Sequence, residues 1–198
     1  MKIGLYGGSF DPIHHGHLIL AREAREQLAL DRVLFIPAAH SPHKLATTPT
    51  SGETRRDMLA AALADEPDFF LEECDLHRAG PSFAIETVRE LRGRWPDARF
   101  FYLIGHDNVA KLDTWNSYPE LADAVQFVVF GRGDHDAPHG FPTITRRVDI
   151  SATDIRARVA RGLSIRYLVP DAVREIIKHR QLYKEPPHHL RNPRPALR

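Results

Sequence analysis

Short apolar runs alternate with segments of helical periodicity through most of this chain, and that alternation constrains the fold more than any other feature. The runs predict strands at Lys2–Tyr6, Arg32–Ile36, Phe69–Glu72, Arg99–Ile104 and Val125–Phe130, and more weakly at Val148–Ile150. Most of them are almost continuously apolar, which is typical of parallel strands covered on both faces. The alternation therefore predicts an α/β fold with a doubly wound, Rossmann-like parallel sheet and right-handed crossovers.

Amphipathic segments lie between the predicted strands. In three of them the apolar residues share one helical face: Leu18, Ala21, Ala24 and Leu28; Met58, Leu59, Ala62 and Leu63; Ile85, Val88 and Leu91. Near the C-terminus, Ser151 or Thr153 can cap a helix that runs to Arg161. A second helix is predicted from Pro170, at its N1 position, to about His179. Together these two helices form a C-terminal helical segment.

The composition is that of a globular chain, 42% hydrophobic and 27% charged, and 198 residues suffice for one domain with a substantial core. We expect this single domain to span residues 1–183. The remaining residues, 184–198, hold four prolines and no aromatic residue, so we expect a disordered tail.

Charge and cysteine content exclude several classes of partner and site. The 27 basic and 26 acidic residues nearly cancel, so bulk charge gives no reason to expect nucleic acid, and phosphate binding must come from local groups. Cys74 is the only cysteine, which excludes an intramolecular disulfide and a four-thiolate metal site. No apolar stretch approaches the ~18 residues of a membrane span. We expect a cytoplasmic monomer or homodimer without membrane attachment.

The first candidate site is the segment from Gly7 to His17, between the first predicted strand and the first predicted helix. In a doubly wound sheet this carboxyl-end turn is where ligands bind. Gly7 and Gly8 are expected to take positive φ and to let the backbone approach a phosphate. Gly16 would keep a side chain away from a helix N-terminus that favours an anion.

Two histidines of this segment point to phosphate chemistry. His14 and His17 are three residues apart, so on a helical turn they lie on the same side and can donate hydrogen bonds to a phosphoryl group. The common phosphate motifs G-x-x-x-x-G-K-[ST] and G-x-G-x-x-G are absent. On residue types alone, a metal site built on H-x-x-H and a purely structural turn stay open as alternatives, although no third metal ligand stands at helical spacing.

The second candidate site is Ile150-Ser151-Ala152-Thr153-Asp154-Ile155-Arg156, which is predicted to open a helix. Two hydroxyls and an arginine at a helix N-terminus make an anion site, although a plain helix cap would use the same residues. Because one segment follows the first predicted strand and the other follows the last, their joint occurrence favours a phosphate site.

Together, Gly-Gly-x-Phe-x-Pro-x-His-x-Gly-His and Ile-Ser-x-Thr-x-Ile-Arg resemble the adenylyltransferases of the HxGH nucleotidyltransferase superfamily. Within it, the chain is most similar to the bacterial nicotinate-nucleotide adenylyltransferases, from Lys2 to about Tyr183. Further matches occur in order: Pro42-His43-Lys44, Gly80-Pro81-Ser82-Phe83, Ile104-Gly105-x-Asp107 with Leu112 and Trp115, and Gly162-x-Ser164 before Leu168-Val169-Pro170.

The resemblance implies a nucleotidyltransferase-type sheet and a reaction. AMP would pass from ATP to nicotinate mononucleotide, giving nicotinate adenine dinucleotide and pyrophosphate in NAD biosynthesis, with Mg²⁺ on the ATP phosphates and no metal ligand from the protein. His14 and His17 would be the catalytic residues that contact the phosphates, with His17 the stronger candidate for stabilising the transition state.

The resemblance also implies the binding residues. ATP and its phosphates would be held by Gly7, Gly8, Ser9, Phe10, Lys44, Ser151, Thr153 and Arg156. The acceptor would be held by Ser82, Phe83, Thr87, Asp107 and Trp115. Trp115 would stack on the pyridine ring, the alternative being a core tryptophan.

Two departures from the family pattern leave the acceptor's fine specificity open. Ala84 stands where relatives often have threonine, and His106 stands where a small or uncharged residue is usual. The same chemistry on nicotinamide mononucleotide or phosphopantetheine, a non-catalytic nucleotide-binding module and a histidine-based metal hydrolase are the competing interpretations.

Overall fold

The computed structural model describes residues 1–39, 50–131 and 138–184. Its strands are β1 (Lys2–Gly8), β2 (Arg32–Pro37), β3 (Phe69–Leu71), β4 (Arg99–Gly105), β5 (Gln126–Gly131) and β6 (Thr143–Thr145). Its α-helices are α1 (His15–Leu28), α2 (Gly52–Leu63), α3 (Cys74–His77), α4 (Ala84–Arg94), α5 (Tyr118–Ala124), α6 (Ala152–Ala160) and α7 (Asp171–His179). A 3₁₀ helix covers His106–Thr114. Lys44 and all but the first residue of the expected tail lie outside the described residues.

The strands form one sheet in the order β3-β2-β1-β4-β5-β6, with every neighbouring pair parallel. The predicted doubly wound, Rossmann-like α/β fold is therefore confirmed. The strand order reverses between β1 and β4, where Leu5 pairs with Leu34 on one side and Tyr102 on the other. A crevice at the carboxyl ends of β1 and β4 is the position where this fold binds ligands.

Alternate residues of the central strands supply two hydrophobic cores, one on each face of the sheet. Tyr6 and Phe35 point into the core under α1, α2, α6 and α7. Leu5 and Ile36 point into the other core, under α4 and α5. Side chains buried on both faces explain why these strands are almost continuously apolar.

The predicted strand at Val148–Ile150 is wrong. The last strand is β6, where the buried Ile144 lies between two exposed threonines and β6 pairs with the end of β5. Residues 146–150 include three exposed charged side chains, so they bury too little apolar surface for a strand covered on both faces.

The predicted C-terminal helices are confirmed with one change. Ser151 caps α6, because its Oγ accepts a hydrogen bond from the backbone N of Asp154 at 3.1 Å. Pro170 is the N-cap residue of α7 rather than its N1 residue. None of the helices in residues 1–39, 50–131 and 138–184 is both long and apolar enough to cross a membrane.

Candidate active site

The two histidines lie together at the start of α1. His14 is the N-cap residue, His17 is on the first turn, and their rings stack with centroids 3.7 Å apart. The backbone N of His14 donates a hydrogen bond to Nδ1 of His17 at 3.3 Å. A neutral imidazole that accepts at Nδ1 carries its proton on Nε2. The backbone therefore selects the tautomer of His17 that can donate from Nε2.

His14 is buried and electrically neutral at neutral pH. The residue is only 5% exposed. Burial, and secondly the charge of His15, lowers the pKa of the His14 side chain from 6.5 to about 4. Its Nδ1 has no hydrogen-bond partner among the described groups. Since the ring carries no charge, it can offer an anion a hydrogen bond but not an ion pair.

The free energy of unfolding should fall as the pH is lowered from about 6.5 to about 4. In that window the unfolded chain binds a proton at His14 that the folded chain does not, so the contribution is complete above pH 6.5 and lost on acidification. At about 1.4 kcal/mol per pKa unit the loss reaches up to ~3 kcal/mol. Urea denaturation at several pH values should give a flatter profile for His14→Asn than for wild type. Parallel profiles for His14→Asn and wild type would contradict this.

The glycines of the first segment make room for side chains. Gly7 and Gly8 are not among the residues with positive φ, so that expectation is wrong; Phe10 has a φ of 46° instead. A Cβ at Gly8 would stand 3.1 Å from the Phe10 ring, and one at Gly16 would stand 2.9 Å from Nδ1 of His14. Gly16 is therefore required by the packing of His14.

Phe10 lies in the core below the histidines. It is 2% exposed, and its ring meets the His17 ring edge-on at 5.0 Å. Any contact with ATP must come from its backbone, because its side chain supports the ring of His17.

The two site segments meet. Nη1 of Arg156 donates to the carbonyl oxygen of Asp11 at 2.8 Å, across 145 residues, and its Nη2 donates to Oγ1 of Thr153 at 3.4 Å. The carbonyl oxygen of Ile150 lies 3.5 Å from the Cβ position of Gly16. The N-termini of α1 and α6 thus lie side by side, as their joint occurrence in the sequence had indicated. Two adjacent helix N-termini and an arginine are groups that can bind an anion.

Arg55 is a site-supporting residue that the sequence analysis missed. It is 1% exposed and lies on α2. Its guanidinium donates to the carbonyls of Ser9 and Ala38 through Nη1, of Thr50 through Nε at 2.9 Å, and of Ala39 through Nη2. One buried cation therefore ties the first site segment to the end of β2 and the start of α2.

Ser82 and Phe83 lie where α4 begins, next to the end of β2. Ser82 Oγ accepts a hydrogen bond from the backbone N of Ala39 at 2.9 Å, and Phe83 is the half-buried N-cap residue of α4. Thr87 is placed differently. It is 1% exposed, and its hydroxyl donates to the buried carboxylate of Asp75. We therefore assign Thr87 to the structure under α4 rather than to acceptor contact.

Asp107 lies on the first turn of the 3₁₀ helix, at the carboxyl end of β4. A Cβ at Gly105 would stand 2.6 Å from its Oδ1, so the glycine lets the carboxylate fold back over the end of β4. Burial, and secondly the charge of Asp107, raise the pKa of Tyr6 on β1. Asp107 thus lies at the crevice where the strand order reverses.

Trp115 follows the 3₁₀ helix and is half-buried. Its ring contacts Tyr102 and Phe127 edge-on, with centroids 5.9 and 6.3 Å away. The ring therefore packs against the core while part of its surface stays accessible, and that part can form the wall of a pocket.

Trp115→Ala should weaken acceptor binding by ~1–3 kcal/mol, by analogy with stacking of bases on aromatic side chains. The KM for ATP should stay near the wild-type value in steady-state assays. The chain's other tryptophan, Trp95, provides the matched control, since Trp95→Ala should leave the acceptor KM unchanged. Equal increases in both KM values of Trp115→Ala, with a lower Tm, would instead indicate a core role.

No group of three or more His, Cys, Asp or Glu side chains within 1–39, 50–131 and 138–184 is arranged to hold a metal ion. His106 lies near His139, with ring centroids 5.5 Å apart, at the start of the 3₁₀ helix. Lys44, which the resemblance assigns to the phosphates, lies outside the described residues.

Comparison with known proteins gives consistent matches. The sequence model described as cytidylyltransferase-like matches residues 5–158. Probable nicotinate-nucleotide adenylyltransferases of Exiguobacterium sibiricum and Thermus thermophilus are 44% and 41% identical, covering 92% and 93% of this chain and 99% and 100% of their own lengths. The structure of Plasmodium falciparum nicotinic acid mononucleotide adenylyltransferase complexed with NaAD matches with a TM-score of 0.76 at 17% identity, covering 92% of this chain and 97% of that one. At that identity the structural match establishes the fold.

Proposed function

We propose that this chain, which belongs to the cytidylyltransferase-like family, is an adenylyltransferase that joins the AMP part of ATP to nicotinate mononucleotide and releases pyrophosphate. The observation that carries the proposal is the hydrogen bond between Arg156 and Asp11, which joins the two helix N-termini beside the stacked histidines. The similarity to probable nicotinate-nucleotide adenylyltransferases, which extends over 92% of the chain, supports the same reaction.

The reaction needs no nucleophilic side chain, because the acceptor phosphate is itself the nucleophile. One of its oxygens attacks the α-phosphorus of ATP in line. A new O–P bond forms while the bond from the α-phosphorus to the oxygen bridging to the β-phosphorus breaks, and pyrophosphate leaves with that electron pair. Cys74 is unsuited to nucleophilic attack, since burial and then Asp75 and Glu72 raise its pKa to about 12. Catalysis then consists of positioning and electrostatic stabilisation.

The chain's residues supply that stabilisation from two sides. Nε2–H of His17 donates to the phosphoryl group as negative charge develops on it. The N-terminus of α6, with Ser151 and Arg156, holds the leaving pyrophosphate. Adenylyltransferases that use ATP generally work with a divalent cation. We propose Mg²⁺, which enters on the ATP phosphates as part of the substrate. An ATP-consuming reaction also suits the cytoplasm expected from the sequence.

The acceptor site lies between Trp115 and the start of α4. The pyridine ring stacks on Trp115, and backbone N–H groups in the first turn of α4, beginning at Ala84, receive the nicotinate carboxylate. Replacing threonine by Ala84 removes a hydroxyl and leaves these backbone donors in place. The charged acceptor is therefore preferred over the neutral amide.

The test is to mix the purified protein with MgATP and each of three acceptors and to measure pyrophosphate. Nicotinate mononucleotide should be used with roughly 10- to 150-fold higher kcat/KM than nicotinamide mononucleotide, the range set by hydrogen bonds to a charged group. Phosphopantetheine should not react. A ratio near one would refute carboxylate recognition by the backbone, and absence of pyrophosphate with every acceptor would refute the proposed reaction.

A further inference from the structure

Asp11 joins the first site segment to three remote parts of the chain, and its carboxylate has no role in the reaction described above. We propose that Asp11 and Tyr183 are positioning residues that fix Arg156 for the pyrophosphate half of ATP. The inference rests on the proposed function and names a mechanism by which the C-terminal segment controls the affinity for ATP.

Three contacts converge on Asp11. Its Oδ1 accepts a hydrogen bond from the hydroxyl of Tyr183 at 2.6 Å, across 172 residues. Its Oδ2 accepts one from the backbone N of Thr50 at 3.1 Å. Its carbonyl oxygen accepts one from Nη1 of Arg156 at 2.8 Å. One residue therefore holds the segment before α2, the segment after α7 and the N-terminal half of α6.

Burial makes these contacts stronger than surface hydrogen bonds. Asp11 is 8% exposed, and a hydrogen bond to an ionised carboxylate is about twice as strong as one between neutral groups. Burial, followed by the hydrogen bond to Asp11, raises the pKa of Tyr183, so its hydroxyl keeps its proton and donates. Thr50 is also anchored through its carbonyl oxygen, which accepts a hydrogen bond from Nε of Arg55.

The orientation of Arg156 depends on these contacts because the anchored carboxylate and the carbonyl that binds Arg156 both belong to Asp11. Two anchors on the carboxylate fix the main chain of Asp11 and thereby the direction of its carbonyl oxygen. The carbonyl and Thr153 engage two of the guanidinium's five N–H groups, and the remaining groups can meet phosphate oxygens. Loosening the Tyr183 anchor lets the carbonyl turn and misplaces the guanidinium.

A double-mutant cycle separates this positioning role from a purely structural one. The probe is an ATP analogue with a methylene group between the α- and β-phosphorus, bound with Mg²⁺ and measured by calorimetry. Tyr183→Phe should weaken its binding roughly 10-fold, as for the loss of a hydrogen bond to a charged group that acts through one neighbour. In an Arg156→Met background the same change should have almost no further effect. The KM for the acceptor should stay near wild type.

Two further variants provide a control and a second test of the positioning role. Tyr167→Phe, at a residue that is 76% exposed, should bind the analogue like wild type. Asp11→Asn removes the charge but keeps one acceptor oxygen, so it should weaken binding in the same direction as Tyr183→Phe. It also serves as the test if Tyr183→Phe does not fold.

The inference fails if Tyr183→Phe weakens binding equally in both backgrounds, or if it lowers the affinity for both substrates together with the Tm. Failure of the proposed function is a separate outcome. A wild-type protein that binds the analogue but releases no pyrophosphate refutes the reaction, while the binding cycle still decides the role of Asp11 and Tyr183.

Discussion

His17→Ala should lower kcat by at least ~100-fold, the effect of removing one hydrogen-bond donor that meets charge developing in a transition state. The backbone N of His14 already occupies Nδ1 of His17, so the neutral ring presents its proton on Nε2. Binding of the ATP analogue should change much less than kcat, because the contact strengthens only as the phosphoryl group gains charge.

The neighbouring histidine provides the control for that experiment. His15→Ala removes an imidazole from the same helical turn, and its kcat should stay close to wild type because His15 is assigned no substrate contact. Steady-state kinetics and melting curves on both variants separate catalysis from folding. If His17→Ala kept most of the wild-type kcat, or lost it only in proportion to its stability, His17 would have no catalytic role.

Arg55→Met should lower the free energy of unfolding by roughly 3–5 kcal/mol, since four carbonyl groups lose their common donor in a buried site. Such a loss is a large share of the ~5–15 kcal/mol that stabilises a typical domain. Urea denaturation should show it directly, and the Tm should fall by about 10 °C for a chain of this length. Methionine fills a similar volume, so the loss of hydrogen bonds and not a cavity dominates the effect.

The adjacent arginine is the matched control. Arg56 pairs with Glu73 and Asp57 on the exposed face of α2, and exposed ion pairs contribute little to stability. Arg56→Met should therefore unfold at nearly the wild-type urea concentration. Equal destabilisation by both substitutions would show that α2 needs its arginines for a general reason, such as helix propensity, and not for the carbonyl contacts of Arg55.

The fold followed from the sequence wherever local pattern and tertiary contacts agree. β1, β2, β4 and β5 are buried on both faces, so their apolar runs marked them to within a residue or two. β6 was misplaced because Thr143–Thr145 buries only one residue, and its pairing with β5 is not visible in local composition. β6 and the short helices α3 and α5 depend on such contacts.

The site followed from the sequence in its outline only. The two segments were found because their residue types and their resemblance to a family mark them directly. Arg55 was missed although it stands on the same helical face as Met58 and Leu59, since an arginine beside Arg56 and Asp57 suggests an exposed surface. Thr87 was placed in the acceptor site because nothing in the sequence reveals that Asp75 lies beneath it.

The lengths of the outer strands affect how copies of this chain can associate. Both edges of the sheet, β3 and β6, are strands of only three residues within the described part of the chain. An edge this short offers few unpaired backbone groups to a foreign strand, so accumulation of the folded protein carries little risk of edge-to-edge aggregation. Self-association through backbone pairing at these two edges is therefore disfavoured, so contacts between side chains would select the partner.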